Sequence, residues 1–278
     1  MKWPRTLKNP ATPAGDAVGQ RPHRAYRFIF IIGASGSGTT LLARILSTPD
    51  NALALGGNYT TIAEGEAGHG LMLAFNLATE QLWDPHAGQA AHAEARVRTS
   101  RVVNRLLALP ALADKTHIIY KRSAPFFKGD RHRPDLSDIF ELFDEPRVIV
   151  IYRDPLASTY SSLRRGFAEN LRQMAVICEE RLTYLAAQAA TLASEQYRLI
   201  QYEDFCANPG QYAAGLAEFC GFPEETVRQA IAAAEVRPDR IDHWRAECSP
   251  EEVRFLTGFF SPRRMAQWAN LQPKTESA

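Results

Sequence analysis

The sequence predicts an α/β fold of three layers: a central parallel sheet, helices on both faces, and a P-loop-like strand–loop–helix at its start. Three observations carry that expectation. Apolar runs recur at 28–32, 117–121, 147–152 and 197–202, helical stretches separate them, and a glycine cluster follows the first run. Continuous apolar runs of that length suit strands buried on both faces, and alternation with helices suits parallel pairing. With 278 residues, 45% hydrophobic and 23% charged, the chain is large enough to bury a full core.

Residues 1–26 hold Pro4, Pro10, Pro13 and Pro22, scattered basic residues and no hydrophobic period. A loose tail is expected there, either a solvated arm or a tether to acidic surfaces. The first strand starts at Arg27 and stops at Gly33, and a helix is expected over 39–47, before Pro49. Residues 60–110 are alanine-rich and broadly helical but broken by Gly65, Gly68, Gly70 and Asp84-Pro85, which predicts a helical insertion. A second strand follows over 117–121 and a third over 147–152. Helices are expected over 155–165 and 171–194, a fourth strand over 197–202, and a further amphipathic helix ending at Phe219-Cys-Gly-Phe-Pro223. Residues 27–278 are thus expected to form a single domain.

Lysine plus arginine total 32 against 31 acidic residues, so no global field points to nucleic acid or to a membrane surface. Cys178, Cys206, Cys220 and Cys248 show no metal-ligand spacing, and no metal is expected. No apolar stretch is long enough to span a bilayer and no secretory signal opens the chain, which predicts a soluble, cytoplasmic protein. The sequence does not indicate an oligomeric state.

Gly33 and Gly38 stand four residues apart and precede Thr39-Thr40, matching GxxxxGK[ST] except that Thr39 replaces the lysine. Small residues at Gly36, Ser37 and Gly38 let backbone N–H groups converge on phosphate oxygens, and the hydroxyls of Ser37, Thr39 and Thr40 add donors. The absent lysine argues against a nucleoside triphosphate, whose terminal phosphates it would grip. A 5′-phosphosulfate needs amides and hydroxyls but offers no terminal phosphate chain for a metal to bridge. After the third strand comes Arg153-Asp-Pro-Leu-Ala-Ser-Thr-Tyr-Ser161, followed by Arg164 and Arg165. Arginine, serine and arginine at these offsets can converge on one dianion around a helix start. The competing use of Arg153 is an ion pair with Asp154 or Glu203.

With both motifs in this order, the chain resembles the P-loop-like sulfotransferase superfamily, in a bacterial-type form. The resemblance runs from Phe28 to Trp244. It implies transfer of a sulfuryl group from 3′-phosphoadenosine 5′-phosphosulfate, leaving adenosine 3′,5′-bisphosphate. It also implies that Gly36, Ser37, Gly38, Thr39 and Thr40 hold the 5′ end, while Arg153, Ser161 and Arg165 hold the 3′-phosphate. Tyr202, in Tyr-Glu-Asp, matches a tyrosine near the adenine, with simple core packing as the alternative. Trp244-Arg245 resembles a segment that closes over the nucleotide.

Catalysis is where the chain departs from that pattern. Many relatives carry Arg or Lys where Gly36 stands, and Lys121, at the expected end of the second strand, is the candidate replacement cation. Glutamate-type members place their base where this chain reads Gly56-Gly57-Asn58-Tyr59-Thr60. Glu64 and Glu66 follow, although Thr61-x-x-Glu64 also fits a helix capping box. Lys115-Thr116-His117 reproduces the letters of histidine-type members, but here the strand follows the motif, which sets His117 at the amino end of the sheet. His117 and Glu64 stay open as bases, with His69 and His132 as lesser candidates. The acceptor is expected to be a small-molecule or carbohydrate hydroxyl or amine, enclosed by residues 57–110 and 123–134, where Phe126 and Phe127 either stack on it or plug the core. A kinase-like phosphotransferase and a degenerate nucleotide-binding module are the alternatives.

Overall fold

The computed structural model describes residues 26–55, 113–124 and 145–271, with single positions at Ala93, Glu94, Val97, Ser100, Arg101, Asn104, Leu136, Phe140 and Phe143. The tail over 1–25, most of the expected insertion over 60–110, and Glu64, Glu66, His69, His132, Phe126 and Phe127 lie outside those residues.

β1 (Arg27–Ala34) is central in a five-stranded parallel sheet of order β2-β3-β1-β4-β5. Its apolar run has no polar face because both sides are covered. Phe28, Phe30 and Ile32 enter one core with Tyr120, Val150, Leu182, Leu185 and Trp268. Ile29 and Ile31 enter the other with Ile119, Ile149, Leu42, Ile45, Phe205 and Leu216. Each fully buried large aliphatic or aromatic side chain here contributes about 1.5–3 kcal/mol. The α/β class and the three layers are as the sequence predicts.

β2 (Ala52–Leu55) was not expected, since four residues of Ala-Leu-Ala-Leu make too short a run to stand out. β3 (His117–Ala124) continues three residues beyond its apolar stretch, because Arg122, Ser123 and Ala124 still pair with Ile32, Gly33 and Ala34. β4 (Arg147–Tyr152) matches its expected bounds, and β5 (Tyr197–Gln201) stops one residue early because Tyr202 opens a helix.

The loop after β1 leads into α1 (Thr39–Leu46). After β4 comes α2 (Pro155–Leu163), capped by Asp154, whose carboxylate accepts from Leu156 N at 2.7 Å, with Pro155 in the first turn where its missing N–H costs nothing. α3 (Leu171–Ala189) begins on the Asn170 side-chain cap. Next along the chain are α4 (Tyr202–Ala207), α5 (Ala213–Cys220), α6 (Glu224–Ala233), α7 (His243–Glu247) and α8 (Pro250–Phe259). The chain leaves β1 toward β2 and β3 on one side and β4 and β5 on the other. That reversal beside β1 puts a crevice at the carboxyl ends of β1 and β4.

Candidate functional site

The glycine loop is compressed from two sides. Gly36 and Gly38 take φ of 82° and 96°, left-handed values that suit glycine. A Cβ at Gly36 would stand 2.8 Å from the Ser158 carbonyl oxygen, and one at Gly38 would stand 2.6 Å from Tyr202 Cε2. The loop therefore keeps its shape only with glycine at both places. Ser37 N donates to Ala34 O at 3.1 Å, and the first turn of α1 holds no acidic residue to offset its positive end. Ser37 Oγ and Ser158 Oγ are buried without a hydrogen-bond partner among the described residues. Buried hydroxyls are normally satisfied, so the Ser37 hydroxyl, itself part of the loop, is a donor available to a polar atom there. Thr39, in the lysine position, is itself buried, while Thr40 is half-buried.

Because Gly33 pairs with Ile151, β4 ends beside the loop and delivers Arg153 to it. Arg153 is only 8% exposed. Its Nη1 donates to Gly36 O at 2.9 Å and its Nη2 to Arg240 O at 3.1 Å. The guanidinium carbon lies 4.4 Å from the centre of the Tyr202 ring, and Nε is 3.9 Å from Glu203 Oε1. The expected carboxylate partner is thus Glu203, while Asp154 is occupied as the helix cap. Ser161 is half-buried with its Cβ 3.2 Å from where a Cβ at Gly36 would stand, and its neighbour Ser162 ties α2 to the loop by donating to Ser35 O at 2.8 Å.

A cavity of about 300 Å³ opens here, lined by Arg153, Ser161, Arg164, Arg165 and Tyr202 and, from the C-terminal side, by Arg240 and His243. Trp244 and Glu247 also face it. Tyr160 OH donates to Glu247 O at 3.1 Å and so holds α7 against α2. Among the lining residues four arginines stand against one carboxylate, an electrostatic setting that suits a multiply charged anion. Burial pushes the Tyr202 hydroxyl up to about 12, which keeps it neutral, and pushes the Glu203 and Asp154 carboxyls above their ordinary values.

The candidates for chemistry are dispersed. Lys121 is not at a strand end: it pairs with Ile31, two residues before the Ser123–Gly33 pair, and is half-buried. His117 pairs with Arg27 at the amino end of the sheet, 7% exposed, hydrogen-bonded through Nδ1 to Thr116 Oγ1 at 2.8 Å and stacked on Phe222 at 4.0 Å. Six residues of strand separate that end of β1 from Gly33, about 20 Å at the usual rise. His117 is accordingly not brought to the loop and is withdrawn as a base. Burial, then the Arg27 charge, lowers its pKa below the ordinary value. Glu64 lies outside the described residues. Sequence reasoning missed Ser162, which directly follows the Arg153–Ser161 motif, and Arg240 and His243, which only the fold returns to the site. Among the described residues, no three His, Cys, Asp or Glu side chains gather to hold a metal, and the four cysteines are free thiols.

A glycine loop and an arginine-lined cavity stand together at the carboxyl edge of a parallel sheet, an arrangement suited to anionic ligands. The pattern of the sulfotransferase family matches residues 29–226, and the chain belongs to that family. Solved structures of similar fold include a sulfotransferase from Alicyclobacillus acidocaldarius (TM-score 0.52, 16% identity, covering 89% of this chain and 96% of that one). The sulfotransferase domain from the curacin biosynthetic pathway is also similar (TM-score 0.51, 18% identity, 85% and 98% covered). So is the sulfotransferase domain of the Synechococcus PCC 7002 olefin synthase (TM-score 0.50, 17% identity, 87% and 98% covered). At these identities the likeness is one of fold. No curated protein matches the chain.

Proposed function

We propose that the chain transfers a sulfuryl group from 3′-phosphoadenosine 5′-phosphosulfate to a hydroxyl or amine of a small molecule or carbohydrate in the cytoplasm, without a metal. One observation supports the reading most: the Arg153–Gly36 hydrogen bond sets the glycine loop and the arginine-lined cavity side by side. A nucleotide with an anion at each end would span both. Gly36, Ser37, Gly38, Thr39 and Thr40 would hold its 5′ end, and Arg153, Ser161 and Arg165 its 3′-phosphate. The unpartnered Ser37 hydroxyl suits an acceptor oxygen in the loop, and the Tyr202 ring suits the nucleoside.

The donor supplies an activated sulfuryl group, which leaves its phosphate oxygen as the acceptor atom attacks. The residues' share is to orient the phosphate on backbone N–H groups and to stabilise the charge left behind. Lys121, from the strand beside β1, is the proposed additional cation. Glu64 is the proposed base that takes the acceptor proton.

Calorimetric titration with adenosine 3′,5′-bisphosphate and adenosine 5′-monophosphate, followed by transfer of label from the sulfuryl donor to a pool of acceptors, tests the reading. A preference of at least about tenfold for the bisphosphate, worth about 1.4 kcal/mol, is expected together with label transfer. Equal affinities, or magnesium-dependent ATP binding in their place, would overturn it in favour of a kinase-like enzyme. Tight bisphosphate binding with no transfer would leave a binding module.

A further inference from the structure

Arg153 is held on four sides. A guanidinium offers five N–H donors in one plane. One at Nη1 goes to the Gly36 carbonyl and one at Nη2 to the Arg240 carbonyl, at 2.9 and 3.1 Å. The Tyr202 ring underlies the plane, and the remaining edge, Nε, turns toward Glu203. Glu203 is fixed in its turn. Its Oε1 accepts from Asp154 N at 3.0 Å and its Oε2 from Gln201 Nε2 at 2.6 Å. A continuous polar path therefore runs from the end of β5, through Glu203 and Arg153, to the glycine loop and to the Pro238–Arg240 turn.

A carboxylate as little exposed as Glu203, 21% at the side chain, costs free energy unless its lone pairs are satisfied and a cation stands near. Glu203 meets that requirement only in this arrangement, where its charge meets the unused edge of Arg153. The two carbonyls that Arg153 joins belong to the two anion sites. Gly36 lies in the loop, and Arg240 lines the cavity from a segment beyond residue 226, where the match to the family stops. One guanidinium thus bridges the two sites directly.

We infer that Glu203 is a positioning residue: it fixes the Arg153 guanidinium, and through it the separation of the glycine loop from the Arg240 turn, so that the two ends of the nucleotide are recognised together. This rests on the donor reading proposed above. A ligand that must span both sites depends on that separation, whereas a ligand with a single anion adjusts to either site.

The test compares Kd for adenosine 3′,5′-bisphosphate and adenosine 5′-monophosphate in the wild type, in Glu203→Gln and in Glu203→Ala. Glu203→Ala is expected to lose about tenfold in bisphosphate affinity, on the scale of one charge-assisted hydrogen bond, and less than twofold for the monophosphate. Glu203→Gln keeps the shape and an acceptor for Asp154 N–H, so a smaller loss of the same selectivity is expected even if the alanine variant folds poorly. In an Arg153→Ala background, changing Glu203 should add nothing. A wild type without preference for the bisphosphate overturns the donor reading and this inference with it. A wild type that prefers the bisphosphate, beside folded Glu203 variants that keep the preference or weaken both ligands equally, overturns this inference alone.

Discussion

β4 begins at Arg147 and is followed directly by Arg153, and the two arginines serve opposite ends of one strand. Arg147 donates from Nη1 to Glu195 O at 3.0 Å and lies 5.5 Å over the Phe219 ring, which Arg198 also covers at 5.4 Å. Around them the amino end of the sheet is packed. His117 stacks on Phe222, and the buried Cys220 thiol is pushed up to about 12. At the other end Arg153 joins a left-handed glycine loop to a polar cavity, beside the buried Ser37 hydroxyl, which has no partner among the described residues. The same residue type closes a surface at one end and prepares a site at the other. Strand direction makes the difference: at the carboxyl edge of a parallel sheet, the following helices present N–H groups and positive dipole ends to an anion.

The sharpest way to break this contrast is Gly38→Ala. A left-handed φ costs a residue with a Cβ about 1–2 kcal/mol, and that Cβ would also press on the Tyr202 ring. Loss of about a hundredfold in bisphosphate affinity is expected by calorimetry, combining that strain with displaced phosphate contacts. Retention within threefold would show that the loop is a plain turn.

A smaller effect separates the arginines. Arg165→Ala, at an exposed position on the cavity rim, should weaken bisphosphate binding about fivefold, as expected of a solvated ion pair, and leave monophosphate binding unchanged. Arg147→Ala should lower the melting temperature and leave both affinities unchanged. Loss of nucleotide binding in Arg147→Ala would mean that the two ends of the sheet are not independent.

The smallest effect concerns His117. In the fold its pKa lies below the ordinary value of 6.5, so on acidification the unfolded chain takes up the proton first. Stability that is complete above pH 6.5 is then lost as the pH falls through and below it. Melting temperatures at pH 7.5 and 5.5 should fall less for His117→Gln than for the wild type, with sulfuryl transfer at pH 7.5 unchanged. A large loss of transfer would return His117 to the chemistry.

Much of the site was legible because its local demands are strict. Gly36 and Gly38 occupy positions where a side chain does not fit, and Arg153 follows immediately on a buried strand. Lys121 was misplaced because apolar character ends at Tyr120, whereas main-chain pairing continues to Ala124; a strand needs neighbours, not apolar residues, to continue. His117 carried the right letters, and the direction of its strand set it at the wrong end. Arg240 gave no signal, since a lone arginine in a short turn looks like surface.

What the sequence determined by itself was the local chemistry: which runs are buried on both faces, where the backbone must turn left-handed, and which basic residues follow a strand. Those are properties of a few consecutive residues. The tertiary structure decided which of these pieces meet. Pairing of β4 with β1 brought Arg153 against Gly36, and the return of the C-terminal segment brought Arg240 to the same guanidinium. Contacts between residues 87 and 117 positions apart depend on how the whole sheet is assembled, which no short stretch of sequence encodes.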